Sequence, residues 1–150
     1  MEDKEMTTEG DAYTRLEGKG IRPSVQRVAI LGYLLTHRTH PTVEEVYNGL
    51  SHKIPKLSHT TVYTTLRMLA GCGLAQMITI DDHHVCYDGD ASPHVHFYCT
   101  RCGRVLDLPN EKAPSLRGKK ITSEGHIILS AQLYYKGVCH DCAQKEHIEA

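Results

Sequence analysis

Two cysteine pairs of identical spacing are the residues in this chain best suited to chemistry: Cys99-x-x-Cys102 and Cys139-x-x-Cys142, separated by 36 residues. Each pair can form a tight knuckle that aims both sulfurs at one centre, and Gly103 supplies the small residue that the first turn needs. Four thiolates match the tetrahedral preference of Zn2+ in structural sites. The same ligands would accept iron or an iron–sulfur centre, and one pair alone would serve as a redox motif. Neither pair, however, reads clearly as the opening of a helix after a strand, as a thioredoxin-like site requires. The expectation is therefore structural zinc on Cys99, Cys102, Cys139 and Cys142. Cys72 and Cys86 have no partner at such spacing and read as free thiols, buried or reactive.

A second set is built from imidazoles and carboxylates. If residues 94 to 99 form a strand, His94 and His96 share a face. If the knuckle after Cys99 folds the chain back, Asp107 falls opposite His96, since the two lie symmetrically about Arg101 and Cys102. Asp88, six residues before His94, is near enough to fold over the same face. Two imidazoles and two carboxylates make a borderline, oxygen-rich site for Fe(II), Mn(II) or Zn(II), distinct from the thiolate site. His40 is a fifth candidate, and its participation would tether the first half of the chain to this cluster. Spacing alone equally allows His37, His40, His83, His84 and His126 to be unrelated surface side chains.

The elements that must position these residues fall into two groups. Pro23 suits a first helical turn, and Val25, Val28, Ile30, Leu31, Leu34 and Leu35 place an apolar stripe on one face of a helix ending near residue 36. Thr42 and Glu45 form a capping pair for a second helix that buries Val43, Val46, Tyr47 and Leu50. A third runs from about His59 to Ala70 on Val62, Leu66 and Leu69, stopped by Gly71 and Gly73. Strand character over Leu74–Ile80, turn residues at 81–84 and Val85-Cys86-Tyr87 follow. Helices followed by a two-stranded hairpin are the order of a winged helix-turn-helix, in which the helix before the wing enters the major groove of DNA.

That third helix carries His59, Thr60, Thr61, Tyr63, Thr64 and Arg67, short polar groups with one phenol and one guanidinium, suited to phosphate clamping and base reading. A threonine-rich helix also reads as plain solvated surface with Tyr63 half-buried. Charge favours the DNA reading: residues 15–80 hold eight Lys or Arg, Arg22 and Lys56 among them, against three Glu, although the whole chain has a net charge of -1. Arg22 and Lys56 join the candidate DNA contacts. Residues 1–14 are acidic and read as an extension.

Beyond a Gly-, Asp- and Ser-rich stretch at 88–93, strands are expected over residues 94–99, 104–108 and 126–135, with a short, weak helix between Asn110 and Gly118 limited by Pro114 and Gly118. So small a set cannot bury a large core, and dimerisation with metal would supply the missing stability. The expected fold class is α/β: a winged-helix domain over 1–87, a hinge over 88–93, and a small α/β dimerisation and metal-binding domain over 94–150. No run approaches the roughly 18 apolar residues of a membrane span, and the first residues lack the order of a secretory signal. The reading is a soluble, cytoplasmic protein.

These motifs together resemble the ferric uptake regulator family, especially its peroxide-sensing branch, from about Gly20 to Cys142. The matching signatures are Arg22-Pro23-Ser24-Val25-Gln26-Arg27, His40-Pro41-Thr42, Thr61-Val62-Tyr63-x-x-Leu66, His94-x-His96 with Cys99-x-x-Cys102-Gly103, and Gly137-Val138-Cys139-x-x-Cys142. The resemblance implies a homodimeric, metal-activated repressor of double-stranded operator DNA, with structural zinc on the four cysteines and Fe(II) or Mn(II) on His40, Asp88, His94, His96 and Asp107. Aspartate at 107 is the peroxide-sensing pattern; many iron-uptake regulators have glutamate there. The resemblance further implies that hydrogen peroxide oxidises His40 and His94 in the Fe(II) form. The extra metal site of many members is not expected, because Val95 interrupts its His-Asp-His run and Ala131 stands where a later histidine would be. No enzyme activity, membrane or small organic substrate is expected. An iron- or zinc-availability repressor of the same fold, and a metal-storage or redox protein that never binds DNA, are the competing readings.

Overall fold

The computed structural model describes residues 2–79, 85–113, 120–129 and 131–147. The expected turn at 81–84, with His83 and His84, lies outside the described residues, as do Pro114 and Gly118. The chain forms two compact units, Met1–Ala91 and Ser92–Ala150.

The first unit contains helices α1 (Glu2–Gly18), α2 (Val25–Thr36), α3 (Val43–Leu50) and α4 (His59–Gly71), then strands β1 (Gln76–Ile78) and β2 (Cys86–Asp88). Three helices begin on a hydroxyl that takes an otherwise unpaired amide: Ser24 accepts from Arg27, Thr42 from Glu45 and Ser58 from Thr61. Those caps fix where each helix starts and hence which face turns inward. In α4 the buried positions are Val62, Thr65, Leu66 and Leu69, one stripe at helical spacing. They meet Ile30, Leu31 and Leu34 of α2 and Val46 and Leu50 of α3 in a continuous apolar core. β1 and β2 pair antiparallel as the wing, with Met77 opposite Tyr87.

The acidic extension turns out to be a helix. Ala12 and Leu16 of α1, four residues apart on one face, are fully buried in the core. Glu9 and Asp11 of the same helix are exposed.

The second unit holds β3 (Val95–Cys99), β4 (Val105–Leu108), β5 (Lys120–Ile121), β6 (Ile127–Ile128), β7 (Tyr134–Gly137) and α5 (His140–Lys145). β3 is central, antiparallel to β4 and parallel to β7. β5 and β6 form a separate hairpin. The single strand expected over 126–135 is therefore two strands with different partners. Residues 111–113 are not helical, so the weak helix after Asn110 is not present among the described residues of that span. The second cysteine pair does open a helix after a strand, since Cys139 is the N-cap of α5. Among the described residues no helix is long and apolar enough to cross a membrane.

Because Leu16 is 0% exposed, Leu16→Ala is expected to destabilise the first unit by about 2–5 kcal/mol. Urea denaturation should show a lower midpoint at unchanged slope; an unaltered midpoint would show that α1 contributes nothing to the core.

Candidate metal centres and nucleic-acid interface

The thiol cluster is assembled by the centre of the β3 sheet. Cys99 ends β3, and the chain turns through Gly103, whose φ of 75° favours glycine, so that the Gly103 N–H donates to the Cys99 carbonyl at 2.9 Å. Cys99 pairs with Gly137 on the parallel strand β7, which delivers Cys139 and the first turn of α5 to the same place. The Cys102 and Cys139 amides both donate to Cys99 Sγ, at 3.5 and 3.4 Å. All four sulfurs lie within 4.8 Å of one another. The Cys102 and Cys139 sulfurs are 3.8 Å apart, which matches the ~3.8 Å edge of a tetrahedron whose metal–sulfur bonds are about 2.3 Å. Geometry and donor set thus fit zinc.

The amide donors leave the cysteines electrostatically unequal. The Cys102 amide, followed by that of Cys139, pulls the Cys99 thiol down to about 6. The Cys142 amide and then the Arg104 guanidinium lower Cys139. Cys142 is pushed up to about 12, first by its hydrogen bond with Cys139 and next by burial.

The second unit also brings His94, His96 and Asp107 together. The sheet register places His96 opposite Asp107. Asp107 Oδ1 lies 3.1 Å from His94 Nε2 and 3.5 Å from His96 Nε2. Those separations are what neighbouring ligands show around an ion with bonds of about 2.1 Å. His94 Nδ1 sits 2.8 Å from the Ser92 carbonyl. Donation there would leave Nε2 as the lone-pair nitrogen, the usual support for a metal-bound histidine.

The first unit holds the other two candidates. His40 Nε2 is 3.3 Å from Asp88 Oδ2, and both side chains are buried. His40 has a left-handed backbone, φ 57°, immediately before Pro41, an uncommon conformation that persists only where the surroundings impose it. Here β2 imposes it. The Tyr87 amide donates to the Pro41 carbonyl at 2.9 Å, and Thr42 bridges to Cys86. Asp88 is steadied in turn, its Oδ1 accepting the Asp90 amide at 2.9 Å. Between the two aspartates, Gly89 packs so closely on α2 that a Cβ there would stand 2.7 Å from the Leu34 carbonyl oxygen.

On α4, burial of Val62, Thr65, Leu66 and Leu69 turns Thr60, Tyr63, Thr64 and Arg67 outward on one exposed face. Arg67 Nη1 donates to the Tyr63 hydroxyl at 3.1 Å, and its guanidinium carbon lies 5.6 Å from that ring's centroid. Two other candidates have local duties. The Thr61 hydroxyl is 2.9 Å from that of Ser58 in the cap. His59 stacks on Tyr47 at 3.6 Å and meets Glu44 at 3.0 Å, pinning α4 to α3. Arg22 and Lys56 are exposed, Lys56 with a φ of 63° in the turn before α4. His126 is exposed, and neither it nor Ala131 belongs to either ligand group.

Sequence reasoning missed three supporting groups: the Ser92 carbonyl, Gly89 and Arg104, whose Nη2 reaches Cys139 Sγ at 3.3 Å. Spacing rules select ligands, and none of these three is a ligand.

The chain matches the model of the Ferric uptake regulator family over residues 18–136. It is 32% identical over 137 residues to the Peroxide operon regulator of Bacillus subtilis (strain 168), covering 91% of this chain and 94% of that protein. The Campylobacter jejuni peroxide stress regulator is similar in structure, with a TM-score of 0.57 and 25% identity over 78% of this chain and 88% of that one. The Helicobacter pylori ferric uptake regulator, in which three functional metal binding sites are described, gives a TM-score of 0.65 at 17% identity over 92% of this chain and 93% of that one. At that identity the likeness speaks for the fold alone, and the fold is a winged helix-turn-helix followed by a small α/β dimerisation domain.

The unequal thiols give a pH prediction for the metal-free chain. Cys99 falls from 9.0 to about 6 on folding, so its contribution is complete above pH 9.0, declines as pH drops, and is gone below about 6. Cys142, raised to about 12, acts oppositely: its contribution is complete below pH 9.0 and is lost as pH climbs towards 12. Cys99→Ser should flatten the fall in stability between pH 9.0 and 6 in urea titrations under reducing conditions; an unchanged profile would refute the assignment.

Proposed function

The chain belongs to the ferric uptake regulator family, and from that premise we propose that it is a metal-dependent transcriptional repressor, released from operator DNA when hydrogen peroxide oxidises its sensor histidines. The observation that carries the reading is the division of ligands. His40 and Asp88 belong to the unit with the winged helix, and His94, His96 and Asp107 to the unit with the thiol cluster. One Fe(II) or Mn(II) ion held by all five would couple the arrangement of the two units to metal binding. Metal then favours the DNA-competent arrangement, and loss of a ligand removes that bias.

Zinc on Cys99, Cys102, Cys139 and Cys142 has a structural part, bracing the sheet that carries His94, His96 and Asp107. Operator contacts come from Thr60, Tyr63, Thr64 and Arg67, with Arg22, Lys56, His59 and Thr61 at the margins of that surface. The protein acts in the cytoplasm as a homodimer and is not an enzyme. Ile121, Ile127 and Leu129, together with Tyr134 and Tyr135 of β7, are exposed, and so many exposed large apolar side chains suit burial against a second copy. A dimer presents two copies of α4 to two half-sites of DNA.

The kinship with the Bacillus subtilis peroxide regulator and the short carboxylate of Asp107 favour peroxide over metal availability as the signal. Fe(II) held by these residues would supply the electron that splits hydrogen peroxide, whereas Mn(II) would occupy the same ligands without that reaction. His40 and His94 are the imidazoles that take up oxygen, and an oxidised imidazole is a poorer ligand.

Peroxide treatment of the Fe(II) form should add the mass of one oxygen atom to the peptide containing His40 or His94 and release DNA, while the Mn(II) form stays unmodified and bound. DNA release on metal removal without that added mass would instead give a metal-availability repressor. Failure of the metal-loaded dimer to bind any promoter segment at low salt would sink the repressor reading. Arg67→Ala should weaken operator binding by about 1–3 kcal/mol; relaxed preference at one base position marks base reading, and a salt dependence shallower by about 1 marks a phosphate clamp. Unchanged binding would remove Arg67 from the interface.

A further inference from the structure

Arg104 stands beside the thiol cluster without belonging to it. Its Nη2 donates to Cys139 Sγ at 3.3 Å and to Asp141 Oδ2 at 2.9 Å. Asp141 lies in the first turn of α5, two residues after Cys139, so the same short helix supplies a zinc ligand and the anchor for the guanidinium. The Arg104–Asp141 pair is about half exposed, at 49% and 65%. An ion pair in that setting adds little to stability, so stability alone does not account for its placement. The guanidinium thus sits on the Cys139 sulfur, which in turn lies 3.8 Å from that of Cys102.

Zinc with four thiolates keeps a net negative charge, and Cys102 is exposed. In a protein that meets hydrogen peroxide, such a centre is open to a second reaction. The Cys102 thiolate attacks one peroxide oxygen, forming an S–O bond as the O–O bond breaks and giving up two electrons. The Cys139 thiolate, 3.8 Å away, then displaces the sulfur-bound oxygen to form a disulfide. Both peroxide oxygens leave as water with two protons from solvent, and zinc loses two of its four ligands. A charge-assisted N–H···S bond on Cys139 opposes the second step, because a thiolate's nucleophilicity falls as its basicity falls.

We propose that Arg104, anchored by Asp141, is a positioning residue that blunts the zinc-bound Cys139 thiolate, so that peroxide is read at the histidine–aspartate site while the structural zinc survives. This rests on the zinc and peroxide readings above.

The test uses the full chain loaded with zinc, with Mn(II) present to silence histidine oxidation. Zinc release under hydrogen peroxide is followed with a chromogenic zinc chelator. Arg104→Met should release zinc roughly tenfold faster than the parent chain, the scale of one charge-assisted hydrogen bond. Arg104→Lys should fall between them, and added guanidinium ion should slow release from Arg104→Ala, which a purely structural defect would not allow. Release from Arg104→Met at the parental rate overturns the proposal, as does an accelerated Arg104→Ala that guanidinium leaves unchanged. Should Arg104→Met not load zinc, Asp141→Asn decides: it keeps the arginine and loses the anchor, and parental-rate release there is equally fatal. The histidine-oxidation assay is separate, so failure of peroxide sensing would leave the ratio of zinc-release rates intact. A parent chain that holds no zinc defeats the four-cysteine reading and this proposal together.

Discussion

The second unit lacks the apolar interior that normally organises a chain of its length. Its buried residues, among those described, are Val95, His96, Cys99 and Cys139, while the continuous hydrophobic core lies wholly in the first unit. The convergence of four thiols takes over what that core would otherwise do. It joins the end of β3, the knuckle after it, the end of β7 and the start of α5, pieces distant in sequence. Small domains meet this deficit with metals, disulfides or partners. Here the first and the third are both available, since Ile121, Ile127, Leu129, Tyr134 and Tyr135 are exposed in the thiol cluster's own unit.

Having the thiol cluster as organiser has a geometric result. β3 carries Cys99 at its end and His96 at its middle, and its partner β4 carries Asp107. Whatever fixes Cys99 therefore fixes the register that sets His96 against Asp107. A ligand set needs its donors held to a few tenths of an ångström by their supports. In this unit those supports are the backbone ladder, the Ser92 carbonyl and the thiol cluster rather than a packed interior.

Much of this was legible in the residues. Cap hydroxyls at 24, 42 and 58 and the apolar stripes behind them give three helices and the wing that follows. Symmetry about Arg101 and Cys102 gives the His96–Asp107 pairing. The failures have physical causes. In α1 charge masked an apolar stripe only two residues deep. Over 126–135 the β-forming residues announced extended structure but not its partners, and β6 and β7 pair with different strands. Cys139 opens a helix of only six residues, too short to show a periodic pattern. In sequence His40 is one histidine among several, because its place depends on β2 fixing the Pro41 loop, a pairing distant in sequence.

Gly89 carries no chemistry, yet it constrains everything at the His40–Asp88 pair. With the Leu34 carbonyl where a Cβ would stand, any side chain would push the backbone off α2 and carry Asp88 with it. The distance from His40 to Asp88 is thus set by how closely a bare peptide can lie against the last turns of a helix. Sequence drift can lengthen or shorten the carboxylates around the pair. At position 89 it has no such latitude, because the Leu34 backbone occupies the space that any side chain would need.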